Sequence, residues 1–134
     1  MTPQEIEKAI VSYFEGSDSD IVAVYLFGSF GRGEARASSD VDLGVLYAQP
    51  PPATLASAGF DIGADLSERL GRAVDVITMN RAPVDLVHRI LRDGRLLIER
   101  NASNRIAFEV RARNEYFDLL PILERYRATS RAMT

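Results

Sequence analysis

The chain has 134 residues, 46% of them hydrophobic and 26% charged, which predicts one globular domain over residues 1–134. Its net charge of −3 and its lack of cysteine argue against a general nucleic-acid binder, a disulfide framework and a thiolate metal site. No apolar run approaches the roughly 20 residues that cross a bilayer, so we expect no membrane association and a cytoplasmic location.

The first predicted elements are a helix and a buried strand. Thr2 can cap a helix that begins at Pro3, and Glu5 completes a capping box. Apolar residues recur at helical spacing from there to residue 14. The next apolar run, Ile21–Phe27, is rich in β-forming residues and too short for a confident helix, so it predicts a strand. A glycine turn follows this strand directly.

Residues 40–47 predict a second strand because apolar and other residues alternate along it. The alternation predicts one face with Val41, Leu43, Val45 and Tyr47, and an opposite face with Asp40, Asp42 and Gly44.

The second half of the chain predicts further elements separated by proline and glycine. Three prolines at 50–52 predict a stiff connector. After them we expect a helix over 55–70 with Leu55 in its apolar stripe, a strand over 73–79, a short helix ending at Gly94, and a last strand or extended connector over 95–100. This order predicts an α/β layer fold with a small mixed sheet.

A long amphipathic helix over 104–127 is expected to kink at Pro121. Its apolar side chains form two rows, which is wider than one core-facing stripe. For a chain this small we expect both rows, and the tyrosines at 116 and 126, to pack into the core; a partner surface is the alternative. The rows are Ile106, Val110, Phe117 and Leu120, beside Phe108, Ala112, Tyr116, Leu119 and Leu123.

The glycine turn and the second strand carry residues suited to phosphate chemistry. Asp40 and Asp42 are two residues apart, so their carboxylates leave the strand on one face and can bind a divalent ion, Mg²⁺ or Mn²⁺. Gly28 and Ser29 can bind a phosphate through backbone N–H groups and a hydroxyl. Arg32 can reach a phosphate or the leaving pyrophosphate. These parts indicate phosphoryl or nucleotidyl transfer assisted by a metal.

Asp75 is the candidate third carboxylate. It lies between Val74 and Val76 in a predicted strand, where an unpaired buried charge would be costly. It can be a metal ligand, a general base for the incoming hydroxyl, or an edge-strand carboxylate that faces water.

The stretch from Gly28 and Ser29 through ten residues to Asp40-Val41-Asp42 resembles the signature of the polymerase-β-like nucleotidyltransferase superfamily, and Asp75 occupies the position of that superfamily's third carboxylate. The short length and the segments "VDVITMNRAPVDLVHRILRDGRLLIER" and "FEVRARNEYFDLLPILERY" resemble the minimal nucleotidyltransferase antitoxins. Many relatives have alanine where this chain has Gly31.

The resemblance implies an antitoxin of the minimal nucleotidyltransferase fold. Such an enzyme transfers AMP from ATP, with Mg²⁺, to a tyrosine of a partner HEPN RNase toxin, with which it forms a hetero-oligomeric complex. The alternatives are transfer to a small hydroxyl compound such as an aminoglycoside, and a module that masks the toxin by binding alone. Arg81 and His88 fit a loose HEPN RNase pattern, but a histidine on a short helix is expected to be structural.

Overall fold

The computed structural model describes residues 1–16, 20–36, 38–54 and 59–132. Its centre is one mixed four-stranded sheet. The strands are β1 (Ile21–Phe27), β2 (Val41–Tyr47), β3 (Val74–Thr78) and β4 (Arg95–Glu99). Their order across the sheet is β3-β2-β1-β4, with β1 antiparallel to β2 and β4, and β2 parallel to β3. The β1 and β2 strands, which carry the candidate site, therefore lie in the middle.

Helices cover both faces of the sheet and form a separate apolar core with each. The helices are α1 (Pro3–Glu15), α2 (Gly28–Gly31), α3 (Phe60–Leu70), α4 (Val84–Asp93) and α5 (Ala102–Ala132). One core joins α1 and α3 to the sheet, and the other joins α4 and α5 to its opposite face. The predicted α/β layer fold with a small mixed sheet is confirmed.

Local signals at the ends of α1 and α3 are confirmed. The Thr2 side chain caps α1 by accepting a hydrogen bond from the backbone N–H of Glu5 at 3.2 Å. Gly71 ends α3 in the left-handed conformation, at φ 65°. The predicted helix over 55–70 is shorter as observed: α3 begins at Phe60, and residues 55–58, including Leu55 of the predicted stripe, lie outside the described residues.

Alternation along β2 is also confirmed, although the strand begins at Val41, one residue later than predicted, so Asp40 precedes it. Val41, Leu43 and Val45 are fully buried in the core beneath α1 and α3. Gly44 faces the other way, where an added Cβ would stand 3.0 Å from Met79 Sδ. The helix α3 connects β2 to β3 and permits their parallel pairing, because parallel neighbours need a crossover connection.

Two elements differ from the prediction, and the structure decides a third that the sequence left open between two alternatives. The glycine turn is a single helical turn, α2, and the segment that was either strand or connector is the strand β4. The last helix is longer than predicted, from Ala102 to Ala132, and it continues through Pro121. The kink expected at Pro121 stays a prediction.

The expectation that both rows of α5 enter the core is wrong. Ala112 is buried, and Phe108 packs against the core shared with α4. In the other row, Ile106, Val110 and Phe117 are half or more exposed, and Leu120 is partly buried. A helix lying on one face of a sheet can bury only one side of its surface.

The two tyrosines of α5 differ for the same reason. Tyr116 stacks on His88 of α4, with ring centroids 3.6 Å apart and planes 2° apart, so it packs as predicted. Tyr126 is 72% exposed, and the prediction that it packs is wrong, because it lies in the last part of α5, where the described side chains from 124 to 131 are all exposed.

Among the described residues, no helix combines the length and apolar character that spanning a membrane requires.

Candidate active site

Asp42 and Asp75 lie side by side on neighbouring parallel strands. They are register partners in the β2–β3 ladder, so their Cα atoms are separated by about one strand spacing, roughly 4.8 Å. Their ladder neighbours Val41 and Val74 point into the core beneath α1 and α3, so the two carboxylates leave the sheet on its opposite face. The parallel pairing thus brings together two residues that are 33 positions apart.

The turn after β1 lies directly against Asp42. Phe27, the last residue of β1, is the register partner of Asp42, and Gly28 follows it at φ 66°. An added Cβ at Gly28 would stand 2.2 Å from Asp42 Oδ2. Glycine at this position therefore permits a left-handed backbone and a close approach to the carboxylate.

The turn itself is held by its own backbone and by a buried anchor. The Arg32 N–H donates to the Gly28 carbonyl at 3.1 Å, and the Glu34 N–H donates to the Ser29 carbonyl at 2.8 Å. Phe30 is buried, whereas Ser29 is partly exposed beside it. Ser29 is therefore partly accessible to solvent, in the turn that approaches Asp42.

Asp42 interacts electrostatically with three other predicted site residues, and together the four form one cluster. The pKa of Asp42 is raised, first by its partial burial and then by the negative charges of Asp75 and Asp40, while the positive charge of Arg32 lowers it. Asp40 and Asp75 are exposed and Asp42 is half-buried. Carboxylates that repel one another in this way favour the binding of a cation between them.

Arg32 is near the carboxylates but is engaged elsewhere. Its Nε lies 3.1 Å from Glu34 Oε2, and both side chains are largely exposed. An exposed ion pair of this kind is weak, typically under about 1 kcal/mol, so a phosphate could displace Glu34. The predicted contact between Arg32 and phosphate stays a prediction.

The three carboxylates and the nearby Ser29 hydroxyl suit a hard divalent cation, because all of these donor atoms are oxygens. Within the part of the chain that the structure describes, no three acidic or histidine side chains converge tightly enough to hold a metal ion by themselves. Mg²⁺ commonly takes one or two carboxylates and completes its shell with water and substrate phosphates. The cluster fits that pattern of binding.

Sequence reasoning missed residues that position the loop before Asp40. Arg72, just after α3, donates from Nη1 to the Ser39 carbonyl at 3.2 Å. The Ser39 hydroxyl accepts a hydrogen bond from the Arg36 N–H at 2.7 Å, and the Val41 N–H donates to the Ala73 carbonyl at 3.0 Å. Serine beside aspartate is a turn signal, but nothing local to Arg72 indicates its long-range contact.

The structural interpretation of His88 agrees with its surroundings. Its ring stacks on Tyr116 and contacts the edge of Phe117. The Arg81 Nε donates to the Pro51 carbonyl at 2.8 Å, so this arginine holds the proline connector.

The chain is similar in sequence and in fold to known nucleotidyltransferases. Residues 8–103 match the profile of the family described as Polymerase beta, Nucleotidyltransferase. The curated Protein adenylyltransferase MntA of Shewanella oneidensis is 27% identical over 92 residues, covering 68% of this chain and 63% of that protein. The match thus spans less than two-thirds of that relative.

Two solved structures share the fold over almost the whole chain. One, described as a toxin-antitoxin with AMP-PNP, superposes with a TM-score of 0.76 at 23% identity and covers 96% of this chain and 98% of its own. The other is the MNT antitoxin in complex with a tri-AMPylated Shewanella oneidensis HEPN toxin, with a TM-score of 0.75 at 22% identity and coverage of 99% and 100%.

Proposed function

Because this chain belongs to the Polymerase beta nucleotidyltransferase family, we propose that it is an antitoxin that transfers AMP from ATP to a tyrosine hydroxyl of a cognate HEPN RNase toxin and thereby inactivates it. The observation that carries the proposal is the register pairing of Asp42 with Asp75 on the face that Gly28 approaches. The adenylyltransferase relative and the two antitoxin folds support the choice of reaction and partner.

The proposed roles follow from the chemistry of each group. Asp40 and Asp42 would hold Mg²⁺, or Mn²⁺, on the triphosphate, and the ion would neutralise charge on the phosphate oxygens. Gly28 and Ser29 bind phosphate oxygens through N–H and hydroxyl donors. Arg32 exchanges Glu34 for the pyrophosphate end of the nucleotide.

The reaction exchanges one phosphorus–oxygen bond for another. The tyrosine oxygen attacks the α-phosphorus of ATP and forms the new bond. The bond from that phosphorus to the oxygen bridging to the β-phosphate breaks, and pyrophosphate leaves. The carboxylates and the turn hold the nucleotide so that the attacking and leaving oxygens are roughly in line.

Two roles are open to Asp75, and kinetics distinguishes them. As a general base it accepts the proton of the tyrosine hydroxyl, and Asp75→Asn then lowers kcat with little change in nucleotide affinity. As a metal ligand it stabilises the bound nucleotide in both the ground and transition states, and Asp75→Asn then weakens nucleotide binding as well.

The use of ATP as substrate supports the cytoplasm as the place of action.

The central test is transfer of label from α-labelled ATP, with Mg²⁺, to the purified toxin. We expect Asp42→Asn to lower transfer by about 100-fold or more, because one of the two carboxylates that would hold the metal ion on the triphosphate is lost. Asp118→Asn, which changes an exposed carboxylate on α5, should leave transfer unchanged. Absence of transfer by the unmodified chain, or equal transfer by Asp42→Asn, would refute the proposal.

Neutralisation by binding alone is the second candidate, and the exposed apolar row of α5 favours it. If the double variant Asp40→Asn, Asp42→Asn rescues toxin-expressing cells as well as the unmodified chain does, binding suffices. If rescue is lost while the complex still forms, catalysis is required.

A further inference from the structure

One face of α5 carries an apolar stripe that stays largely open to solvent, although Phe117 makes an edge contact with His88 of α4. Ile106, Val110 and Phe117 are 50%, 51% and 60% exposed, and Arg113 lies between the last two. We call these four residues the outer stripe. Their spacing of four, three and four residues places them on one side of a helix, away from Phe108 and the rest of the row that packs on the sheet.

The outer stripe has the geometry of a helix-docking surface. From Ile106 to Phe117 it extends about 16 Å at a rise of 1.5 Å per residue. Single apolar residues are common on protein surfaces, but three large ones aligned over three turns repeat the anchor spacing by which one helix binds another. The stripe therefore predicts a partner that presents a helix.

Arg113 argues against a second copy of this chain as that partner. In a parallel pairing of two α5 helices, Arg113 would lie against its own copy. In an antiparallel pairing that superposes Ile106 on Phe117, it would lie against Val110. Either arrangement takes two guanidinium groups out of water without a new acidic partner, which is costly.

The charge on Arg113 is also poorly neutralised within the chain. Its Nη2 lies 3.8 Å from Glu109 Oε1, and the side chain is 47% exposed. The other carboxylate oxygen of Glu109 is taken by Arg105. A carboxylate from a different protein could approach Arg113 from solvent and form a bidentate pair.

We propose that the outer stripe of α5 docks a helix of the cognate toxin, with apolar side chains against Ile106, Val110 and Phe117 and an aspartate or glutamate against Arg113. This inference rests on the proposed function for the identity of the partner. The outer stripe and the carboxylate cluster share no residue, so docking and transfer can be separated by substitution.

The test is the affinity of the purified chain for RNase-inactive toxin, measured by titration calorimetry at fixed salt. The double variant Val110→Glu, Phe117→Glu should lower affinity by about 100-fold or more, as expected for two central anchors. Glutamate is a good helix former, and unchanged thermal unfolding and ATP affinity will verify that the fold is intact. Ala107→Glu, an exposed position off the stripe on the same helix, is the matched control and should bind within about twofold of the unmodified chain.

Charge at position 113 gives a second, independent readout. Arg113→Glu should lower the affinity by about tenfold or more and Arg113→Lys by less, because lysine keeps the charge but loses the bidentate geometry. Unchanged affinity of the Val110→Glu, Phe117→Glu variant overturns the inference. So does a homodimer, seen by light scattering of the chain alone, that this double variant dissociates.

Failure of the inference is distinguishable from failure of the proposed function. If the unmodified chain transfers AMP and the stripe variant binds the toxin normally, the docking surface is wrong and the function stands. If toxin binds through the stripe but no AMP is transferred, the proposed reaction is wrong and the docking surface stands. The variant Asp40→Asn, Asp42→Asn should bind toxin with unchanged affinity.

Discussion

Gly28 is the residue at which backbone conformation and site chemistry coincide. It has a positive φ of 66°, and an added Cβ would overlap the Asp42 carboxylate. Gly33 has a similar φ of 73°, but a Cβ added to it would have nothing within 4 Å. The two glycines therefore separate the cost of the backbone conformation from the cost of crowding the site.

We expect Gly28→Ala to impair activity far more than Gly33→Ala. Both substitutions pay about 1–2 kcal/mol for a left-handed backbone, but only Gly28→Ala displaces Asp42. AMP transfer by Gly28→Ala should fall by about tenfold or more, with weaker nucleotide binding, while Gly33→Ala should retain transfer and lose only stability. Parallel assays of transfer and thermal unfolding check this, and equal loss of transfer in both variants would contradict it.

The charged form of Asp42 lowers the stability of the folded chain. Its pKa in the folded state is raised above the ordinary value of 3.8 by burial and by Asp75 and Asp40. A raised pKa means that protonation favours the folded state, so this group's contribution to stability is present below the unfolded pKa and is lost as pH rises through the folded pKa. At neutral pH the charged Asp42 therefore destabilises the fold.

Asp42→Asn should consequently raise the melting temperature at pH 7, even though it strongly lowers AMP transfer. The gain should shrink as the pH falls toward about 3.8, because the wild-type side chain then also becomes neutral. Scanning calorimetry of both proteins across this range, with a chelator present and nucleotide absent, measures the difference. A melting temperature that falls in Asp42→Asn at pH 7 would contradict the prediction.

At the scale of the elements, the helical turn α2 packs closely against β1 and against Gly94, which lies between α4 and β4. Gly31 ends this single turn, and a Cβ added to it would stand 2.6 Å from the Leu26 carbonyl oxygen and 3.2 Å from Gly94 Cα. The absence of a side chain at both glycines lets the turn, β1 and the end of α4 approach one another.

Gly31→Ala should destabilise this chain by about 1–3 kcal/mol, because its neighbours are backbone atoms that cannot move aside. Gly16→Ala is the matched control, since Gly16 has nothing within 4 Å of an added Cβ and an ordinary negative φ. Its unfolding free energy should stay within about 0.5 kcal/mol of the unmodified value. Urea denaturation of both variants provides the comparison, and equal stability would show that α2 can shift without cost.

At the scale of the whole molecule, the two cores hold the fold and the far end of α5 does not. The described side chains from Glu124 to Arg131 are all exposed, whereas Ile90 is fully buried between α4 and the sheet. Stability is therefore expected to be concentrated in the first 123 residues.

A chain that ends after Leu123 should keep its unfolding free energy to within about 1 kcal/mol, because few buried contacts are removed. Ile90→Ala should lose about 2–4 kcal/mol through the cavity it creates and serves as the sensitivity control. Denaturant titration distinguishes the two. A large loss on truncation would mean that the end of α5 has a structural role.

Local patterns determined much of this protein. Capping by Thr2, the apolar run of β1, the alternation along β2 and the stop at Gly71 each depend on interactions within a few residues, so the sequence alone predicted these elements. The sequence also predicted that Asp40 and Asp42 lie near each other, and the charge of Asp40 does raise the pKa of Asp42, although Asp40 precedes the strand that carries Asp42.

Tertiary structure decided what depends on distant residues. The strand order brings Asp75 beside Asp42, and Arg72 reaches the loop before Asp40. The packing of α5 on one face of the sheet leaves Ile106, Val110 and Phe117 exposed. Residue types and spacing therefore sufficed to select the candidate site residues, because they are local properties. The partners of each carboxylate and the exposed side of the last helix were decided only by folding, since contacts between remote segments depend on how the whole chain packs.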